Sequence, residues 1–210
     1  VRAWRAYFSP AATPAATAAV ATSRPDQLPQ ALPGLVEPDW LARHLGQPWL
    51  KVIDLRSQPE YNSGHIPGAL LVNVEAFRGL VNGVPSMLLP APMLAGQFSL
   101  LGIHPTDLVV LVTGEKLYDG TLVGMACERL GHSRYAVLQG GMAGWLAAKR
   151  PLDTLLPAVT PSRYPESSAD NFTVDYRRVL NAMSDKKTVI IDVRPADYYT
   201  GKKSDEARAG

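Results

Sequence analysis

The sequence is poor in thiols, with one cysteine, Cys127, among 210 residues. A lone cysteine excludes an intramolecular disulfide and a thiolate-type zinc site. Long apolar runs are also missing. Proline, glycine or charge interrupts each run before it reaches the roughly 18 residues that span a bilayer, so no transmembrane segment is expected. Neither sign of charge dominates: 21 Lys and Arg stand against 19 Asp and Glu, a formal net charge of +2. Without a concentrated basic stripe, nucleic acid is not an expected partner. None of the four histidines pairs with another at i,i+4, so neither a metal nor another cofactor is expected.

What is present is a normal globular composition, 46% apolar, enough for an ordinary core. The first 33 residues stand apart. Arg2 and Arg5 are followed by seven alanines between Ala11 and Ala21, then by Pro25, Pro29 and Pro33. Two readings stay open. Arginines, a mild apolar stretch and Ala19-Val20-Ala21 sketch an export signal with a small-residue cleavage site. Pro10, Pro14 and several threonines instead suit a disordered tail. Export, with a periplasmic location, is the expectation retained.

From Leu35 short β-branched runs alternate with longer runs of helical period, the pattern of an α/β domain with a parallel sheet. Helices are expected at 38–45, 93–101, 121–130 and 142–148, and strands at 50–55, 70–74, 108–112 and 135–138. Leu108 to Val112 is apolar throughout, as a central parallel strand covered on both faces requires. The Gly- and Pro-rich stretch from Gly79 to Pro92 reads as a loop, and Gly131 as a helix C-cap. Residues 153–171, with several prolines and serines, read as a linker.

After the linker the chain repeats itself at an offset of 138. Val36 meets Val174, Leu41 meets Val179, Ile53 meets Ile191, Asp54 meets Asp192, Arg56 meets Arg194 and Tyr61 meets Tyr199. A helix, a strand, an Asp-x-Arg at its end and a following Tyr recur in register. The first copy continues into Gly64-His65-Ile66-Pro67-Gly68-Ala69, whereas the second stops where that stretch should begin. Residues 172–210 are therefore expected to be the start of a second module that continues beyond Gly210, since about 40 residues bury too little surface to fold alone.

Four signals in order carry a family resemblance: Asp54-Leu55-Arg56, the GHIPGA stretch at 64–69, the apolar strand at 108–112 with its loop and helix, and Val137-Leu138-Gln139-Gly140-Gly141 leading to Trp145. Over residues 34–152 the chain resembles the rhodanese family. The resemblance implies a five-stranded parallel sheet with helices on both faces, often in tandem. It also implies sulfur transfer from a small donor anion such as thiosulfate, through a cysteine persulfide, to a thiophilic acceptor. In that family the cysteine follows the central strand, in a loop whose N–H groups and helix dipole favour a thiolate.

Here that position falls near Thr113 or Gly114, neither a thiol, so no catalytic residue is expected in this chain. The loop Thr113-Gly114-Glu115-Lys116-Leu117-Tyr118-Asp119-Gly120 reads as vestigial and carries two added acids. Asp54, Arg56, Asp192 and Arg194 are candidate supporting residues, against the plainer reading of strand-end hydrogen bonding. Cys127, inside a helix, is expected to be packed and unreactive. His65, set among Gly and Pro, reads as part of a rigid turn. Two functions remain. One is a sulfurtransferase whose catalytic Cys lies downstream of Gly210, and the other is an inactive rhodanese-homology module that binds or regulates a partner.

Overall fold

A computed structural model describes residues 32–166 and 173–204. The expected N-terminal lead lies almost wholly outside the described residues. The chain divides into two compact units at residue 168. The elements of the first are β1 (Gly34–Val36), α1 (Pro38–His44), β2 (Leu50–Asp54), α2 (Gln58–Ser63), β3 (Leu70–Leu71), β4 (Arg78–Val81), β5 (Val84–Leu88), α3 (Ala91–Leu100), β6 (Leu108–Val112), α4 (Leu117–Leu130), β7 (Tyr135–Leu138) and α5 (Gly141–Ala147). No helix among the described residues is long and apolar enough to cross a membrane.

β1, β7, β6, β2 and β3 form one parallel sheet in that order. Every residue of β6 is buried. Leu108, Val110 and Val112 pack with Trp40, Leu41, Met142 and Trp145 of α1 and α5. Val109 and Leu111 pack on the other face, with Leu94 and Phe98 of α3 and Val123 and Cys127 of α4. Helices on both faces explain why this strand is apolar throughout rather than alternating. Each such Leu or Val contributes about 1.5–3 kcal/mol by burial.

Several stretches depart from the sequence reading. The strand expected at 70–74 ends at Leu71, because the Asn73 side chain accepts from the Glu75 amide and turns the chain into a 3-10 helix at Val74–Phe77. The expected loop from Gly79 contains an antiparallel hairpin, β4 with β5. Its turn is Asn82-Gly83, both at positive φ (50° and 79°), the type I′ geometry that suits strand twist. Pro85 is tolerated because neither strand is interior to a sheet.

The segment expected to be a spacer from 153 is, through Tyr164, a strap bound to the first unit. His65 and Asp153 exchange two backbone hydrogen bonds of 2.9 and 2.8 Å. The Ser162 amide donates to the Ser99 carbonyl (2.8 Å), and the Tyr164 amide to Ser99 Oγ (2.9 Å). Tyr164 itself is buried against Phe98. Lacking helical or strand periodicity, the strap is held by individual polar contacts, which composition does not reveal.

The second unit holds α6 (Tyr176–Met183) and α7 (Ala196–Tyr199). At the offset of 138 these match α1 and α2. The expected strand between them is not formed among the described residues. Val189, Ile190, Ile191 and Val193 are exposed, and a strand needs a neighbour to satisfy its N–H and C=O groups.

Candidate active site

β2 leads through α2 to β3 on one side of the sheet, and β6 leads through α4 to β7 on the other. Right-handed crossovers running in opposite directions place their helices on opposite faces and open a crevice between the C-terminal ends of β2 and β6. A cleft of ≈ 830 Å³ occupies that place. Its walls are Arg56, Ser57, Gln58 and Glu60 after β2, Gly114, Glu115, Lys116, Tyr118 and Asp119 after β6, and Asn73, Glu75 and Arg78 from the approach to the hairpin. Leu55, Leu71 and Val74 supply apolar surface.

The loop expected at 113–120 is shorter than its glycines suggested. α4 begins at Leu117, so only residues 113–116 lie between strand and helix. Gly120 is helical, and its missing side chain admits the end of β6: a Cβ there would stand 3.1 Å from Thr113 Cγ2. Thr113 points inward and is buried. Its carbonyl accepts from the Met142 amide (2.9 Å), and a Cβ on Gly141 would lie 2.4 Å from that same oxygen. Gly141 also sits at φ +55°, so both space and backbone demand glycine there. Gly114, not Thr113, faces the cleft.

Asp54 and Arg56 fix the other wall. The Asp54 carboxylate accepts from the Arg56 amide, from Nε and from Nη2, the last at 2.7 Å, and Nη2 also donates to the Gly64 carbonyl (2.8 Å). Asp54 is fully buried and the Arg56 side chain is 8% exposed. The guanidinium thus pins the end of β2 to the start of the GHIPGA turn, and a carbon at the Gly114 Cβ position would come within 3.2 Å of Arg56 Cγ. Ser57 and Glu60 form a capping box at the start of α2. The Ser57 hydroxyl and amide hold the Glu60 carboxyl below its ordinary range.

His65 does not reach the cleft. It is buried, stacked on Tyr61 with ring centroids 3.8 Å apart, and its nitrogens face the carbonyls of Tyr61 and Leu155. Cys127 is also distant in kind, being fully buried in the core between α4 and the sheet. Desolvation pushes its thiol strongly up, opposing thiolate formation. Asp192 and Arg194 belong to the second unit and repeat the clasp of Asp54 and Arg56.

The hairpin-side residues Asn73, Glu75 and Arg78 were not legible as site residues. The Asn82-Gly83 dipeptide, read as a I′ turn, is the signal that could have placed them. Arg78 and Glu75 pair at 3.1 Å, and Arg56 is matched by Asp54 beneath the surface. The cleft's remaining acids, Glu60, Glu115 and Asp119, then face one further cation, Lys116.

The profile of the rhodanese-like domain matches residues 37–148. The chain belongs to the rhodanese-like family. It is 31% identical over 180 residues to the thiosulfate sulfurtransferase of Azotobacter vinelandii, covering 85% of this chain and 66% of that protein. It is 27% identical over 182 residues to the 3-mercaptopyruvate sulfurtransferase of Escherichia coli, covering 82% and 64%. The crystal structure of SseA from Escherichia coli, described as a 3-mercaptopyruvate sulfotransferase of rhodanese fold, superposes with a TM-score of 0.73 at 27% identity, over 83% of this chain and 70% of that one. This rhodanese-like chain spans 57 to 66% of the length of such curated relatives.

Proposed function

We propose that this chain is the N-terminal part of a rhodanese-type sulfurtransferase, and that its first unit is a non-catalytic module. The names of its relatives support the activity. The observation that supports the second half is the cleft itself, formed at the C-terminal ends of β2 and β6 and lined after β6 by Gly114, Glu115, Lys116, Tyr118 and Asp119, with no thiol among its lining residues. In rhodanese chemistry a thiolate attacks the outer sulfur of thiosulfate, the S–S bond breaks and sulfite leaves. The resulting persulfide then yields its outer sulfur to an acceptor such as cyanide, giving thiocyanate and regenerating the thiolate. Glycine cannot hold the transferred sulfur, and Cys127 is buried away from the cleft. The catalytic Cys is then supplied downstream of Gly210, in the completed second module, and the lead at 1–33 serves export.

The experiment is a thiosulfate-to-cyanide assay of two chains. Residues 1–210 alone should yield no thiocyanate above background, and a chain extended through the second module should turn over. Turnover by residues 1–210 that is abolished by Cys127→Ser would overturn the assignment of the cleft. An inactive extended chain would favour the second reading, a rhodanese-homology module that binds a partner. The acids Glu115 and Asp119 at the cleft mouth support that reading, because they repel a small anionic donor. Recovery of the cellular protein with residues 1–21 intact in the cytosol would argue against export.

A further inference from the structure

The strap from Asp153 to Tyr164 is closed at its far end by a buried side-chain pair. His132 Nε2 faces the Arg134 carbonyl at 3.1 Å, and Nδ1 faces the Tyr164 hydroxyl at 2.9 Å. A carbonyl can only accept, so Nε2 carries the hydrogen and Nδ1 of the neutral ring accepts from Tyr164. The pair sits beneath the strap, with Phe98 edge-on to both rings at 5.8 and 5.1 Å. Both residues are buried, at 2% and 5% exposure.

We propose that His132 and Tyr164 form a proton-sensitive clasp: the neutral imidazole holds the strap on the first unit, and protonation of Nδ1 releases it. A proton on Nδ1 removes the acceptor that the Tyr164 hydroxyl uses and places a charge among aromatic rings. Asp107, before β6, favours the charged ring through its carboxylate, which also accepts from the His104 amide (2.8 Å), and through a backbone hydrogen bond. Arg134 repels it. Cys127 of α4 takes the His132 amide on its carbonyl (2.8 Å), and its thiol, which faces Tyr164, is held in the neutral form by burial. Phe98 of α3 and Tyr164 of the strap bring no formal charge. Desolvation prevails, and the imidazole is held below its ordinary value. A lowered value in the clasped state means that the released state binds the proton more readily. The clasp is therefore fully effective above the ordinary imidazole value of about 6.5 and is lost as the pH falls below it.

Hydrogen exchange on the 210-residue chain, corrected for intrinsic rates and compared at about pH 7.5 and about pH 5, tests this. Protection of the Ser162 and Tyr164 amides should fall several-fold at the lower pH, while β6 amides keep theirs. In His132→Asn, which retains an acceptor near Nδ1 but takes up no proton, the strap's pH response should vanish. In Tyr164→Phe strap protection should be low at both pH values. Equal protection of the unmodified strap at both pH values would overturn the proposal. So would a loss shared equally by β6, or a pH response that persists in either variant.

Discussion

Asp54 with Arg56 and Asp192 with Arg194 make the same clasp in opposite surroundings. In each, the carboxylate accepts from the arginine amide two residues on, from Nε and from Nη2, with Nη2 distances of 2.7 and 2.6 Å. The first pair is buried beneath the cleft, whereas the Arg194 side chain is 61% exposed. The local geometry thus belongs to the Asp-x-Arg sequence and does not need the sheet. What the sheet adds is the energetic consequence, since a buried charge cannot exchange its partner for water.

Removing the carboxylates separates the two cases most widely. Asp54→Ala strands a buried guanidinium and should destabilise the first unit by about 3–5 kcal/mol, whereas Asp192→Ala should leave that unit unchanged. Denaturant unfolding followed by tryptophan fluorescence measures this, because Trp40, Trp49 and Trp145 all report on the first unit. Equal effects would mean that burial does not distinguish the two clasps.

The strands offer a second contrast of somewhat smaller size. Leu111→Ala in fully buried β6 should cost about 2–5 kcal/mol, and Ile191→Ala, at 76% exposure, should not shift the transition. A clear loss from Ile191→Ala would show that the second unit's apolar residues are already covered in this chain. Cys127 gives a kinetic version of the same test. Its labelling by a thiol reagent near neutral pH should be slow until the first unit unfolds, and a rate matching the unfolded chain would contradict its burial.

The smallest effect concerns the exposed clasp's own titration. Hydrogen bonds from the Arg194 side chain and amide hold the Asp192 carboxyl below its ordinary range. The clasp's contribution is therefore present above the ordinary carboxylate value and lost as the pH falls through the lowered one. NMR titration should find this depression in the parent chain and largely lose it in Arg194→Ala. An unchanged Asp192 titration would mean that the pair is not formed in solution.

The parts of the fold carried by periodicity could be read from residues alone. β6 is bounded as the apolar run 108–112 indicates, and β7 as 135–138. Gly131 caps α4 in the left-handed conformation. The misreadings share a cause. Gly120 looked like loop punctuation, but it is a helical glycine chosen for its close approach to Thr113, a tertiary contact that local sequence does not display. Prolines 85, 90 and 92 hid the hairpin behind a loop-like composition. β1 is only three residues long, too short for a pattern. At the cleft, Asp54, Arg56 and Gly114 could be singled out only through the family resemblance, and that they adjoin follows from the pairing of β2 with β6, which the sequence does not display. Asn73, Glu75 and Arg78 arrive through the 3-10 turn and the hairpin, so they depended on elements not foreseen.

The strap also sets the order in which a growing chain can finish its first unit. α3 and α4 can dock as soon as β7 and α5 have been made, but Phe98 and His132 then still lack the cover that Tyr164 provides. Synthesis runs at about 5–20 residues per second, so the stretch from Ala147 to Tyr164 leaves that apolar opening unsealed for a time on the order of seconds. The last contact closing the first unit thus comes from residues made just before the second begins, and a pause in translation within 150–163 would prolong exposure of the apolar surface around Phe98.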